Sequence, residues 1–197
     1  MTDHPSTEHP PTDLQNSFLR PHGDIQDIVQ LGLELQRHAS KRRIHNVFDD
    51  GGYKELLLLE LFNLKKGGGR TGNDALDAFD REYEIKTVAR ISTKGERKSS
   101  LSVTTEHTLT LENIDRYRKV HLWLIAIFEQ STPEMIYEIQ PSKLEADYFS
   151  RWEVKLRNQI ESLRDGGARP HLNNPKIPLS YIAKHGVVVW RADGQHQ

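Results

Sequence analysis

A nearly unbroken apolar run, His121–Glu129 (HLWLIAIFE), limits the possible folds of this chain more than any other stretch. All of its inner residues are apolar, and several are β-branched or aromatic. Such a composition favours a β-strand, but a strand without a polar face needs covering layers on both sides of its sheet. The run therefore predicts a central strand inside a layered α/β fold.

Helical and alternating patterns on either side of this strand predict the covering layers. Apolar spacing, caps and breakers predict five helices: Asp24, as N-cap, to about Arg43; Lys54–Lys66; one capped by Thr110; Pro141–Leu163; and a short one before the last strand. Alternation predicts further strands at Tyr83–Ile91, with one face in the core, Leu101–Thr105, Met135–Ile139 and Gly186–Trp190. Residues 165–178 are expected to form an irregular loop. The expected fold is α/β, with a central mixed β-sheet flanked by α-helices.

Length and composition restrict the remaining possibilities. The 197 residues favour one domain over residues 23–197, preceded by a disordered tail, residues 1–22, which shows no periodicity. The absence of cysteine excludes disulfides and thiolate metal sites, and it fits a reducing cytoplasm. No run of about 18 apolar residues predicts a membrane span. The net charge of −1 does not indicate a nucleic-acid binder, although acids elsewhere can offset a basic cleft.

Two carboxylates and a lysine form the strongest candidate site. Glu84 and Lys86 are two positions apart on a strand and therefore share a face, and Asp74 follows a glycine-rich break that lets the chain fold back beside Glu84. Two carboxylates within a few ångströms repel each other by roughly 4 kcal/mol at an effective dielectric near 20. Mg²⁺ would remove this conflict, and the lysine could then orient a water or stabilise charge on a phosphate. Together with a metal, the pattern is sufficient for phosphodiester hydrolysis.

A solvated strand face is the competing explanation for the same charges, because the pattern is short and common. Three nearby acids are alternative ligands. Glu82 shares the face of Glu84 but lies further from Lys86, and Asp77 and Asp80 fit a solvated turn.

The segment GRTGNDALD…EYEIK resembles the active-site segment of the PD-(D/E)XK nuclease superfamily, in particular the PvuII-like type II restriction endonucleases. The blocks VFDDGG, RYRKV, MIYEIQPSKLE and NNPKIPLSYIAKHG resemble the same family in the same order, over roughly residues 24 to 190. The resemblance implies a restriction-endonuclease-like core and a Mg²⁺-dependent type II site-specific deoxyribonuclease. It further implies a homodimer, with the first helices at its interface, that cuts double-stranded DNA at a short palindrome, CAGCTG or a related hexamer. Such an enzyme requires a cognate DNA methyltransferase in the same cell.

The resemblance also implies roles for individual residues. Asp74, Glu84 and the backbone carbonyl of Ile85 match the metal ligands, and Lys86 matches the catalytic lysine. Tyr117 matches an active-site tyrosine, although packing of a helix residue on the sheet explains it equally well. Asp50 matches an acid that approaches the minor groove, where a turn former is the alternative.

The block that reads bases is matched less completely. Asn173 and Asn174 match the residues that read adenine, since an amide can bond adenine N6 and N7 together, but NNP is also a common turn. His107 is a candidate for guanine, or a structural hydrogen bonder. Basic residues offer charge for phosphates: Lys94, Arg97, Lys98, Arg116 and Arg118.

One departure from the family concerns the metal. Thr71 stands where the family has a glutamate, so a second metal would need another acid, for which Glu55 and Glu60 are candidates. Thr71 also keeps open a DNA-binding module without catalysis. A structure-specific nuclease of DNA repair or recombination, with the same metal site, is the alternative enzyme.

Overall fold

The computed structural model describes residues 23–42, 44–48, 52–67, 74–163 and 169–192. Internal contacts divide the chain into two compact units, Met1–Asp49 and Asp50–Gln197. The predicted tail, residues 1–22, lies outside the described residues, so the tail and the single domain over residues 23–197 stay predictions. Within the described ranges, no helix has both the length and the apolar character needed to cross a membrane.

The first unit contains one long helix, α1 (Gly23–Lys41), which matches the predicted helix to within two residues at each end. Its side chains Ile28 and Leu31 are 67% and 66% exposed. After the helix, the Gln36 amide holds the following turn: its Nε2 donates to the carbonyl of Ile44, and its Oε1 accepts from the backbone N–H of Val47.

The second unit contains the remaining helices and all of the strands in the described chain. The helices are α2 (Gly52–Leu61), α3 (Leu111–Lys119), α4 (Ser150–Ser162) and α5 (Leu179–His185). The strands are β1 (Lys65–Lys66), β2 (Ala75–Leu76), β3 (Glu82–Ala89), β4 (Ser102–Thr104), β5 (Thr108–Leu109), β6 (Leu122–Glu129), β7 (Thr132–Ile139), β8 (Leu172–Asn173), β9 (Lys176–Pro178) and β10 (Val187–Arg191).

Six of these strands form one mixed sheet in the order β1-β2-β3-β6-β7-β10. Strands β3 and β6 are parallel, and the other neighbours are antiparallel. The inner residues of β6, from Trp123 to Phe128, are all buried, with one apolar cluster on each side of the sheet. The predicted central strand and the α/β fold with a mixed sheet are confirmed.

The prediction that β3 buries only one face is wrong. Tyr83 and Ile85 pack with Leu58 and Leu59 of α2 in one cluster, and Val88 packs in the other. Alternation of charged and apolar residues usually indicates a wet face, but here the charged positions are also covered. The strand therefore carries charged side chains into the interior.

Helix α2 ends five residues earlier than predicted. Asn63 adopts a φ of 50°, and the backbone N–H of Leu64 donates to the carbonyl of Leu59 at 2.7 Å, which closes the helix. Lys65 and Lys66 then pair with β2 instead of continuing the helix.

Two further segments differ from expectation. The predicted helix Pro141–Leu163 consists of a 3₁₀ turn (Pro141–Lys143), a π turn (Glu145–Phe149) and α4. The predicted irregular loop contains β8 and β9, which pair with β5 and β4. By contrast, Thr110 caps α3 as predicted, in a capping box with Asn113.

Candidate active site

The structure brings Asp74, Glu84 and Lys86 together. Strand β2 pairs with the beginning of β3, so Asp74, just before β2, lies beside the middle of β3. The backbone N–H of Ile85 donates to Asp74 Oδ2 at 2.8 Å. Glu84 and Lys86 lie on the same face of β3, and Lys86 Nζ lies 2.6 Å from Glu84 Oε1. The sequence spacing therefore predicted a real cluster.

Glu84 is an unusual carboxylate because it is 1% exposed. Its Oε2 is buried and has no hydrogen-bond partner among the described residues. The pKa of Glu84 is raised to about 7: burial raises it most and the charge of Asp74 adds to this, while Lys86 and Arg116 partly offset the rise. A buried carboxylate oxygen without a partner is a site where a cation would relieve a large desolvation cost.

The oxygen atoms at this cluster suit Mg²⁺, which prefers carboxylates and carbonyls. In the described ranges, no group of three or more His, Cys, Asp or Glu side chains is placed to hold a metal. A metal here would therefore depend on two carboxylates, Asp74 and Glu84, with the backbone carbonyl of Ile85 as the expected further ligand. The ligand assignments stay predictions.

Tyr117 lies beneath the cluster and is fully buried. Its ring packs against Trp123, with centroids 4.6 Å apart, and Lys86 Nζ lies 5.6 Å from its centroid. Its hydroxyl lies 3.0 Å from the carbonyl oxygen of Thr105 and 2.9 Å from Glu106 Oε1, so these two acceptors share its one proton. Burial raises the pKa of Tyr117 well above its usual value. This position favours the packing explanation, and a direct role in the reaction stays a prediction.

A cleft of about 690 Å³ opens above the cluster. Its walls include Asp74, Ile85 and Lys86 on one hand and His107 and Asn174 on the other. His107 and Asn174, which are 67 positions apart in sequence, thus meet in the cavity that Asp74 and Lys86 line. Both groups of residues can therefore contact one bound molecule.

Asn174 lies at a break between two short ladders, β5–β8 and β4–β9. It adopts a φ of 46°, a conformation that asparagine tolerates better than most residues. Its backbone N–H donates to the carbonyl of His107 at 3.0 Å, and its Oδ1 lies 2.8 Å from His107 Nδ1. We call these two side chains the His107–Asn174 pair. Asn173 is exposed and pairs with Thr108.

The remaining candidate residues differ in whether the structure describes them and whether they border the cleft. Asp50 and Thr71 lie outside the described residues. Glu60 is exposed on α2, whereas Glu55 borders the cleft but pairs with Lys66 at 3.1 Å. Neither acid is shown as a substitute metal ligand.

Asp77 is not the solvated turn residue that the sequence predicted. It is buried, and its carboxylate accepts hydrogen bonds from the backbone N–H groups of Phe79 and Arg81 and from the Arg81 side chain. Desolvation raises the pKa of Asp77, but these hydrogen bonds outweigh that effect, so the pKa is lowered. The residue fixes the turn before β3. Asp80, in contrast, is exposed in that turn, as predicted.

Sequence reasoning missed three charged residues of the cleft: Lys54, Glu106 and Lys176. Glu106 Oε1 accepts hydrogen bonds from both Tyr117 and Arg116, which connects the His107 segment to the base of the site. No local pattern marks these residues, since each is a single charge in an ordinary helix, loop or strand. Only the pairing of β4 with β9 brings Lys176 to the cleft.

Residues 22–190 match the family model described as restriction endonuclease PvuII. The match covers most of the 197-residue chain and includes every element that borders the cleft.

Proposed function

Because the chain belongs to the restriction endonuclease PvuII family and is a type II site-specific deoxyribonuclease, we propose that Asp74, Glu84 and Lys86 are the residues that cut the DNA. One observation carries the assignment. Glu84 is buried on the central sheet with Lys86 Nζ at 2.6 Å, Asp74 accepts the backbone N–H of the intervening Ile85, and Asp74 and Lys86 line a cleft. Such clusters of perturbed ionisable groups are typical of active sites.

Mg²⁺ is the proposed cofactor, held by the carboxylates of Asp74 and Glu84 and the carbonyl of Ile85. When bound, it would supply positive charge to the phosphate and lower the pKa of a nearby water. The bare Oε2 of Glu84 and the repulsion from Asp74 support this ligand set.

Lys86 is the proposed electrostatic catalyst. Its ammonium group lies on the cleft wall, tethered to Glu84 Oε1. From that position it would donate hydrogen bonds to the attacking water and to a non-bridging phosphate oxygen, where negative charge grows in the transition state. The buried Tyr117 ring beneath it restricts the movement of the lysine, so Tyr117 acts as a positioning residue.

The His107–Asn174 pair, with Asn173 supporting it, is proposed to read bases. The Asn174 amide suits adenine, and its Oδ1 has two lone pairs, so it can serve His107 and a base together. If His107 Nδ1 donates to that oxygen, contact with guanine through Nε2–H requires the doubly protonated ring.

A homodimer is proposed to present two such surfaces to a palindrome, CAGCTG or a related hexamer, because two-fold symmetry gives both half-sites the same reader. The exposed apolar side chains of α1, including Ile28 and Leu31, support an interface through that helix. A cognate methyltransferase would protect the host's own sites. A cytoplasmic location, where such DNA is met, belongs to the same proposal.

The test is digestion of unmethylated genomic DNA with and without Mg²⁺, followed by sequencing of the fragment ends, with Lys86→Ala as control. We expect discrete fragments whose ends define one palindrome, only with Mg²⁺ and only with the parental chain. Cutting restricted to flaps or junctions would instead support the repair nuclease. Binding without any cutting would support the non-catalytic module.

A further inference from the structure

Three carboxylates and three lysines border the cleft: Glu55, Asp74 and Glu106, and Lys54, Lys86 and Lys176. Glu55 and Glu106 are already paired with Lys66 and Arg116, whereas Asp74 repels the phosphate backbone. Lys86 does not offset that repulsion, because its ammonium group already pairs with the buried Glu84. DNA binding therefore needs other cations.

The arginines predicted to contact phosphates are already paired with carboxylates of the protein. Arg97 pairs with Glu129 and Glu134, Arg116 with Glu106, and Arg118 with Glu145 and Glu153. Those ion pairs would have to break before the guanidinium groups could bind DNA.

Two lysines of the cleft wall differ from these arginines, because they are not paired with carboxylates of the described residues. Lys54 and Lys176 both border the cleft, and neither forms an ion pair within the part of the chain that the structure describes. Lys54 Nζ lies 5.6 Å from the centre of the Phe128 ring. Lys176 is exposed on β9, opposite Thr104 and two residues after Asn174.

The two lysines reach the cleft from opposite sides of the catalytic strand. Helix α2, which carries Lys54, packs through Leu58 on the Tyr83 face of β3. Strand β4, which pairs with Lys176, packs through Val103 on the Val88 face. Strand β3, with Lys86, lies between the two elements.

We propose that Lys54 and Lys176 bind the backbone phosphates on either side of the phosphate that is cut. A lysine ammonium on a flexible stem provides three donors and full charge, but it reads no base. The pair would hold the strand across β3 while Asp74, Glu84 and Lys86 act on the phosphate between them. This inference rests on the proposed active site for its position, but not on cleavage.

The test is the salt dependence of DNA binding for Lys54→Gln and Lys176→Gln. Fluorescence anisotropy with a random-sequence duplex, without divalent cation and over a series of KCl concentrations, gives the slope of log K against log [KCl]. Each lost phosphate contact should reduce the magnitude of the slope by about 0.9, or about twice that in a dimer. The double variant should show the sum of the two reductions.

Lys119→Gln is the matched control, since Lys119 is exposed at the end of α3 and does not border the cleft. Lys176→Arg should retain the parental slope, which separates loss of charge from disturbance of the segment that carries Asn174. If either glutamine variant keeps the slope of the Lys119→Gln protein, the proposal is wrong. Because no cutting is required, that failure is independent of the outcome of the digestion test.

Discussion

Strand β3, which carries the proposed catalytic residues, and the His107–Asn174 pair hold their polar groups in opposite ways. On β3, Glu84 is buried and its partner Lys86 is mostly covered, so the fold keeps an ion pair in an environment that penalises charge. The His107–Asn174 pair is exposed and flanks the two-residue strands β5 and β8, which are held together by backbone hydrogen bonds. The proposed cleavage residues are therefore fixed by the core, whereas the proposed reading pair can change without disturbing them.

The largest expected effect is on the catalytic strand. Lys86→Ala should reduce cleavage by roughly 10²- to 10⁴-fold, because it removes the group proposed to stabilise charge in the transition state. Specific DNA binding should persist, since the His107–Asn174 pair is untouched. Single-turnover cleavage and binding assays measure both, with Lys119→Ala as the matched control. Cleavage at the parental rate would show that the chemistry lies elsewhere.

A substitution in the His107–Asn174 pair should instead weaken specific DNA binding and leave the proposed cleavage residues intact. Asn174→Gly keeps the φ of 46° accessible and removes the amide, whereas alanine would add backbone strain. Losing a bidentate contact costs roughly 1–3 kcal/mol per half-site, and about twice that in a dimer. Competition binding should show weaker cognate affinity and unchanged affinity for random DNA. Equal losses on both DNAs would mean that the residue only shapes the loop.

The burial of Glu84 leads to a smaller expected effect, on the pH dependence of stability. Because its pKa is raised from 4.5 to about 7, the folded protein holds a proton there that the unfolded chain releases, so stability falls as pH rises through this interval. The Glu84→Gln side chain does not titrate, so the variant does not lose stability in this interval. In EDTA, the free energy of unfolding of the variant minus that of the parental protein should rise by roughly 2–3 kcal/mol between pH 4.5 and pH 7.

Denaturant unfolding at several pH values measures that difference. Glu60→Gln, an exposed acid on α2, is the control and should show no such trend. A flat difference for Glu84→Gln would mean that the carboxylate is solvated in the folded protein.

The smallest effect is expected beneath the site. Tyr117→Phe removes hydrogen bonds to Thr105 and Glu106 but keeps the ring under Lys86, so it should destabilise the fold by about 1 kcal/mol and slow cleavage less than about tenfold. Thermal unfolding and single-turnover kinetics measure the two quantities. A loss as large as that of Lys86→Ala, in a folded protein, would assign the hydroxyl to the reaction itself.

The sequence predicted the parts of this comparison that depend on local patterns. The apolar run gave the central strand, Thr110 gave a helix cap, and the spacing of Glu84 and Lys86 placed them on one face. The burial of Glu84 and Asp77 was not predictable, because a charged residue in a strand alternation or in a turn usually indicates solvent. Coverage of that face comes from distant elements.

The reading pair and the two cleft lysines also depend on long-range pairing. His107 meets Asn174 because β8 and β9, in a segment predicted as an irregular loop, pair with β5 and β4. Lys54 and Lys176 have no pattern of their own. Predicting such contacts requires the tertiary fold, which local periodicity does not encode.

Heterodimers test the separation of chemistry from reading most directly. A dimer of one parental and one Lys86→Ala subunit, incubated with supercoiled plasmid that carries one cognate site and Mg²⁺, should nick a single strand and accumulate open circles. A dimer with one Asn174→Gly subunit should bind more weakly but still produce linear plasmid. Linear product at the parental rate from the Lys86→Ala heterodimer would contradict the account, because one subunit would then be cutting both strands.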